Sequence, residues 1–267
     1  MGNTFVFGLS ALISLAPVTL VAYRRDAGLD ILFWLACLVA LTGPLALVAV
    51  LFSGVWQTNL SASLWMTIAV CMALFAAFCR VQRGAWRLAP LLGPYLIVLG
   101  LIATASIHAP SQAVLMGVDS WWIKSHILVS VTTYALVTLA AIAGLAVLLQ
   151  ERALKTRQRT RLTGLLPSIV GAETMQVRLM VMSEVILGAG LATGAASQWL
   201  IMGEPIGLDH KTVFAISAFV VIGALLIAHF RTGVRGRRAA RLALLAYLLI
   251  TLGYPGVKFV SEVLINS

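Results

Sequence analysis

Stretches of about 20 apolar residues recur along the chain, and this recurrence limits the possible fold more than any other feature. A helix of that length crosses a hydrocarbon core of about 30 Å. Apolar and polar residues do not alternate within the stretches, so helices are predicted rather than the strands of a barrel. A helix also satisfies its own backbone hydrogen bonds in lipid. The eight predicted spans are 4–23, 31–52, 61–79, 88–107, 125–149, 180–202, 210–230 and 240–262.

The composition agrees with a membrane domain. Hydrophobic residues make up 61% of the chain and charged residues 10%, whereas a soluble domain carries about 25% charged residues. Eight spans within 267 residues leave no room for a separate soluble domain. We therefore predict an all-α polytopic membrane protein in which residues 1–267 form a single integral membrane domain.

The distribution of basic residues predicts the orientation of the helices. Of the 19 Lys and Arg residues, 16 fall on one side of the predicted bundle and only Lys124, Lys211 and Lys258 on the other. By the positive-inside rule the basic side is cytoplasmic, which makes both termini extracytoplasmic. The net charge of +10 is then a topology signal of a multi-pass protein in the inner (plasma) membrane. The basic loops favour membrane lipids as partners and give no reason to expect nucleic acid.

Histidine is the most informative polar residue, since only four occur. His108, His126 and His210 fall near the predicted outer face, whereas His229 ends the seventh span on the cytoplasmic side. His210 and His229 are 19 residues apart on one helix, or about 28 Å, so they cannot ligate the same metal. Imidazole is a common ligand of metals and haem. The alternative reading is that interfacial histidines are amphipathic anchors, as Trp and Tyr often are.

His126 and His210 begin different helices at similar depth, so they are the best pair for a metal. We predict that they face each other at the outer end of the bundle and supply two axial ligands to a haem. A helix N-terminus disfavours a cation and so favours the neutral, ligating imidazole. His108 is less fixed, because it leads into a loop with Pro110. Trp122 is either part of an interfacial aromatic belt or a stacking partner for the porphyrin.

The remaining signals assign no catalytic residue. Glu184 falls inside a span about one turn from its cytoplasmic end, and its role is left open. Gly190 and Gly194 form a GxxxG pattern, which is typical of close helix packing. The sequence contains no P-loop, GxSxG, HExxH or CxxC, so no basis for enzymatic activity is found.

Two blocks of sequence resemble the cytochrome c assembly protein family (CcsA/CcmC type). The first is Trp122-Ile-Lys-Ser-His126, followed along the helix by Tyr134-Ala. The second joins Asp209-His210-Lys211, His229-Phe230-Arg231 and Gly233-Val-Arg235-Gly236-Arg237-Arg238. It is similar to the D-P-K-E helix, the L-H-x-R helix end and the G-W-R-G turn of that family. The resemblance covers about residues 120–262 and is closest to the YpjD/HemX-like branch.

The resemblance implies a haem-handling membrane protein of cytochrome c-type biogenesis. It carries an outer haem ligand of the family onto His126 and a transmembrane histidine onto His229, with Trp122 beside the outer ligand. The Trp-rich outer segment and the second outer histidine of the family have no counterpart here. Haem held non-covalently near the extracytoplasmic face, with other cytochrome c maturation proteins as partners, is the first hypothesis.

Two other functions stay open at this point. One is a non-enzymatic scaffold or regulator of haem biosynthesis that acts through its basic loops. The other is a small-solute transporter, which is weakened because Glu184 is the single ionisable candidate away from the helix ends. We further predict that the fifth to eighth helices form the functional half, because both blocks fall there.

Overall fold

The computed structural model describes residues 2–24, 28–52, 59–108, 121–202 and 210–260. Regular structure in these ranges is helical. The helices are α1 Gly2–Ser14, α2 Ala16–Ala22, α3 Ile31–Phe52, α4 Leu60–Val81, α5 Ala89–Ala105, α6 Trp121–Thr156, α7 Arg161–Leu165, α8 Ile169–Met202, α9 His210–Thr232, α10 Gly236–Thr251 and α11 Val257–Phe259. Within the described residues, eight helical segments are long and apolar enough to cross a membrane. The predicted all-α architecture with eight helices of membrane-spanning length is confirmed.

The first span is broken into α1 and α2 at Leu15. The N–H of Leu15 donates to the Leu12 carbonyl in a tighter turn, and Pro17 in the first turn of α2 has no N–H to continue the ladder. The break places Thr19 against Gly93 of α5, where the absence of a Cβ allows close contact. The N-terminal helices therefore pack tightly even though most of their outer surface faces lipid.

Helix α6 is the centre of the bundle. It packs most extensively on α8, then on α10 and α4. Helices α1 to α5 pack among themselves on one side of α6, and α8, α9 and α10 pack on the other. Of the most apolar window in each span, 83% is buried in α6 but 17% in α9. Helix α9 thus lies at the periphery of the bundle.

Two predicted boundaries need large corrections, and the starts predicted at 125 and 240 move four residues earlier, to Trp121 and Gly236. The fifth span was predicted to end at residue 149 and the sixth to begin at 180, but α6 continues to Thr156 and α8 begins at Ile169. Hydropathy misses these turns because residues such as Glu173 and Gln176 are polar. Both are nevertheless packed in the bundle: Glu173 accepts from the backbone N–H of Gly236, and Gln176 is 1% exposed.

Four tyrosines join the two sides of the bundle. The hydroxyls of Tyr95 on α5 and Tyr247 on α10 are 2.9 Å apart. Tyr134 on α6 stacks on Tyr247 with ring centroids 6.1 Å apart, and Tyr254 contacts Tyr134 from the turn after α10. The ring contacts and paired hydroxyls hold α5, α6 and α10 together in the interior. The Tyr134 of the first sequence block is therefore a packing residue.

Candidate functional site

His126 lies on α6 with its ring against α8. Its Cε1 atom would lie 3.0 Å from a Cβ added at Gly194, so the glycine makes room for the ring. Its Nδ1 atom is 3.4 Å from the Thr193 hydroxyl oxygen, and that hydroxyl donates to the Ala189 carbonyl at 2.9 Å. Because the Thr193 oxygen must then accept, the geometry favours a hydrogen on Nδ1. With the hydrogen on Nδ1 the lone pair of His126 is on Nε2, and the ring also has a hydrogen bond with the backbone of Gly190.

Gly190 and Gly194 both face α6, as expected for the GxxxG pattern. One turn before the His126 contact, a Cβ added at Gly190 would lie 3.2 Å from Cγ1 of Val129. The two glycines thus form one contact surface, which we call the glycine notch. The notch allows close approach of α6 and α8 and holds the half-buried imidazole of His126 at their seam.

His229 lies at the other end of the bundle, in the last turn of α9. Its Nδ1 atom is 2.9 Å from the carbonyl oxygen of Val234. A carbonyl only accepts, so a neutral His229 carries its hydrogen on Nδ1 and presents the Nε2 lone pair. The ring packs edge-on against Phe230. This is the second imidazole in the described residues whose orientation is set by an oxygen acceptor.

The two imidazoles are too far apart to share a ligand. Gly194, which touches His126, and Arg178, which lines the same groove as His229, are both on α8. Their 16-residue separation is about 24 Å along a helix axis. Any site at His126 is therefore distinct from any site at His229.

The other predicted site residues are placed by backbone alone. His210 is the first residue of α9, and Trp122 is in the first turn of α6. The side chains of His210 and Trp122 lie outside the described part of the structure, as does Asp209. His126 itself is in the second turn of α6, because that helix starts at Trp121 rather than at 125. The facing of His126 and His210 stays a prediction.

The turn between α9 and α10 has a clear backbone reason for its glycines. Gly233 has φ +69° and Gly236 has φ +63°, both in the left-handed region that favours glycine. Gly233 closes α9, since its N–H donates to the His229 carbonyl. Gly236 begins α10, and its N–H donates to the Glu173 carboxylate. Next to it, Arg237 pairs with Glu151 at 3.2 Å.

Comparison with known proteins places this arrangement in a family. The description of the family whose model matches residues 30–265 is "Cytochrome C assembly protein". The chain belongs to the cytochrome c assembly protein family. It is also 50% identical, over the whole of both chains, to a protein of Azospirillum brasilense described as an uncharacterized 28.8 kDa protein in the nifR3-like 5′ region.

The family match is wider than the sequence blocks indicated. They placed the resemblance at about 120–262, whereas the match begins at residue 30, near the start of α3. Helices α3, α4 and α5 contain no histidine and few polar residues, so no short motif marks them. These three helices are joined to the central helix α6 mainly through α4, which packs on α3, α5 and α6.

Sequence reasoning missed the environment of Glu184. One of its carboxylate oxygens would be 2.9 Å from a Cβ added at Gly223 of α9, and the other is buried without a hydrogen-bond partner among the described residues. Glu184 is six residues beyond Arg178, or about 9 Å further along α8. The carboxyl therefore belongs to the α8–α9 seam, a placement that no linear pattern could reveal.

Proposed function

We propose that this cytochrome c assembly family member handles haem during cytochrome c-type biogenesis, near the extracytoplasmic face. Family membership indicates the role in biogenesis. The observation that best supports haem is the position of His126, whose ring lies against the glycine notch and whose Nδ1 approaches the Thr193 hydroxyl. A ligating imidazole usually has its other nitrogen held by an oxygen acceptor, which fixes the ring.

In this proposal haem binds non-covalently and transiently. His126 and His210 would hold its iron, and Trp122 would stack on the porphyrin at the membrane interface. His229 belongs to the opposite end and serves as a second, independent contact for haem within the membrane. The protein contributes the ligands of the iron and the apolar α6–α8 seam around them. No catalytic residue is assigned to it. In this proposal other maturation proteins deliver or receive the haem, and the chain belongs to the YpjD/HemX-like branch that its sequence blocks resemble.

The outer location depends on the orientation, which the distribution of basic residues predicts. We expect the protein to lie in the inner (plasma) membrane, with both termini outside the cytoplasm. Alkaline phosphatase fused to the C-terminus should be active, and green fluorescent protein fused there should not fluoresce. The opposite result would invert the protein and put His126 on the cytoplasmic side.

Haem binding is tested on the purified full-length protein. We expect a haem titration, followed at the Soret band, in which His126→Ala weakens binding at the outer site by at least tenfold, since one ligand of the iron and its hydrogen-bonded support are lost. His126→Gly should regain much of the band when imidazole is added to the solution, which a purely structural role of His126 would not allow. His229→Ala serves as the comparison variant and should keep the outer site.

The second candidate is a non-enzymatic scaffold or regulator of haem biosynthesis. It is favoured by the concentration of arginines at one end of the bundle, a surface suited to docking. A protein with no Soret band under any loading condition, whose deletion changes cellular haem content, would support this candidate over the first.

A further inference from the structure

A groove of about 670 Å³ opens on the side of the bundle at its arginine-rich end. We call it the lateral groove, and its walls come from the end of α4, the first turns of α8 and the end of α9. Helix α4 packs on α3, α5 and α6, whereas α8 packs on α6, α9 and α10. Since α4 and α8 belong to different sides of the bundle, a cleft is left between them. The groove follows from the packing and is separate from the His126 site, whereas His229 lines part of its wall.

The inner part of the groove is apolar and faces lipid. Its wall residues include Leu74 and Phe78 of α4 together with Val181 and Met182 of α8. Val181 is 38% exposed and Met182 47%. An exposed apolar wall at this depth is in contact with acyl chains when the protein is in a bilayer.

The mouth of the same groove, at the arginine-rich end of the bundle, is cationic. The guanidinium groups of Arg178 and Arg235 line it and are exposed. Arg178 donates to the side chain of Gln82, which follows α4, and this bond positions Arg178 at the mouth of the cleft. A guanidinium has five N–H donors, so most of its capacity remains. The acid in this part of the groove, Glu173, is already engaged by the N–H of Gly236.

We propose that the lateral groove binds one anionic phospholipid. Arg178 and Arg235 hold the phosphate of the head group, and one acyl chain follows the apolar wall between α4 and α8. The order of the groove supports this occupant: Met182 and Val181 lie about one turn of α8 deeper than Arg178. Charge at the mouth and exposed apolar surface below it match a phospholipid, because both parts of one molecule are accommodated.

The test measures lipid binding to the full chain in detergent by native mass spectrometry. We expect phosphatidylglycerol to bind about 30-fold more tightly than phosphatidylcholine with the same acyl chains. Each basic residue beside an anionic head group contributes roughly fivefold, and two are present. Arg178→Gln/Arg235→Gln should abolish the preference. Lys155→Gln/Arg159→Gln removes the same charge at the exposed end of α6 and the loop after it, away from the groove, and should leave the preference intact.

Val181→Trp tests the apolar part of the groove. We expect it to weaken the binding of both lipids, since the indole ring occupies the path of the acyl chain. The proposal is overturned by equal affinity of the unaltered protein for the two lipids, or by an equal loss in both double variants. Displacement of phosphatidylglycerol by millimolar inorganic phosphate would reassign the arginines to a simple phosphate site. Loss of a Soret band in Val181→Trp, with lipid binding unchanged, would assign the groove to haem.

Discussion

Gly236→Val is expected to lower the free energy of unfolding by about 3 kcal/mol, and Gly233→Val by about 2 kcal/mol. Both glycines have left-handed φ values, which cost an L-residue up to about 2 kcal/mol each. A Cβ at Gly236 would also lie 2.7 Å from Oε1 of Glu151. The carboxylate must move, which disturbs its partly exposed pair with Arg237 and adds about 1 kcal/mol.

Gly233→Val is the matched control, because a Cβ at Gly233 meets no atom within 4 Å. The measurement is the midpoint of thermal unfolding of the two variants in detergent, followed by tryptophan fluorescence. An equal fall in both midpoints would mean that the pair of Glu151 with Arg237 contributes nothing. The comparison therefore separates the backbone cost of the turn from the side-chain contacts that anchor it.

Under the proposed function, Gly194→Leu should weaken haem binding by about 10- to 100-fold although His126 itself is not substituted. The new side chain starts 3.0 Å from Cε1 of His126 and has no room at the α6–α8 seam. The ring must turn away, so Nδ1 loses its approach to the Thr193 hydroxyl. Loss of such an orienting contact typically costs 10- to 100-fold in ligand affinity. Haem titration of the purified variant, followed at the Soret band, measures the change.

Gly190→Leu is the control on the same face of α8. Its new side chain meets Val129 rather than the imidazole, so it should lower thermal stability through overpacking and change haem affinity less than threefold. If both leucine variants lost haem equally, general separation of α6 and α8 would explain the result and His126 would have no special position.

Much of the membrane architecture was predictable from residue order. Lipid excludes unpaired backbone polar groups, so each long apolar stretch must be a helix, and α3 begins and ends where its stretch does. The end of α6 and the start of α8 were predicted wrongly because hydropathy reports only how apolar a stretch is. Polar residues such as Glu173 and Gln176 are nevertheless helical, since they contact other parts of the protein.

The histidines show the same division. Sequence spacing alone established that His210 and His229 are far apart, because the rise of a helix fixes that distance. It also identified the GxxxG pattern but not its partner. That His126 lies in the glycine notch depends on how α6 and α8 are aligned, which is decided by packing between residues 64 to 68 positions apart.

By itself, the sequence determined the helical class, the eight spans, the uneven distribution of charge and the residue types available for haem. Each of these follows from local chemistry: apolar length, backbone satisfaction in lipid and the side chain of histidine. The tertiary structure decided which side chains meet. It placed His126 at the α6–α8 seam, Glu184 against Gly223, and the two arginines at the mouth of the lateral groove. Such contacts depend on close packing of distant segments, whose free energy is not encoded in any single stretch of the chain.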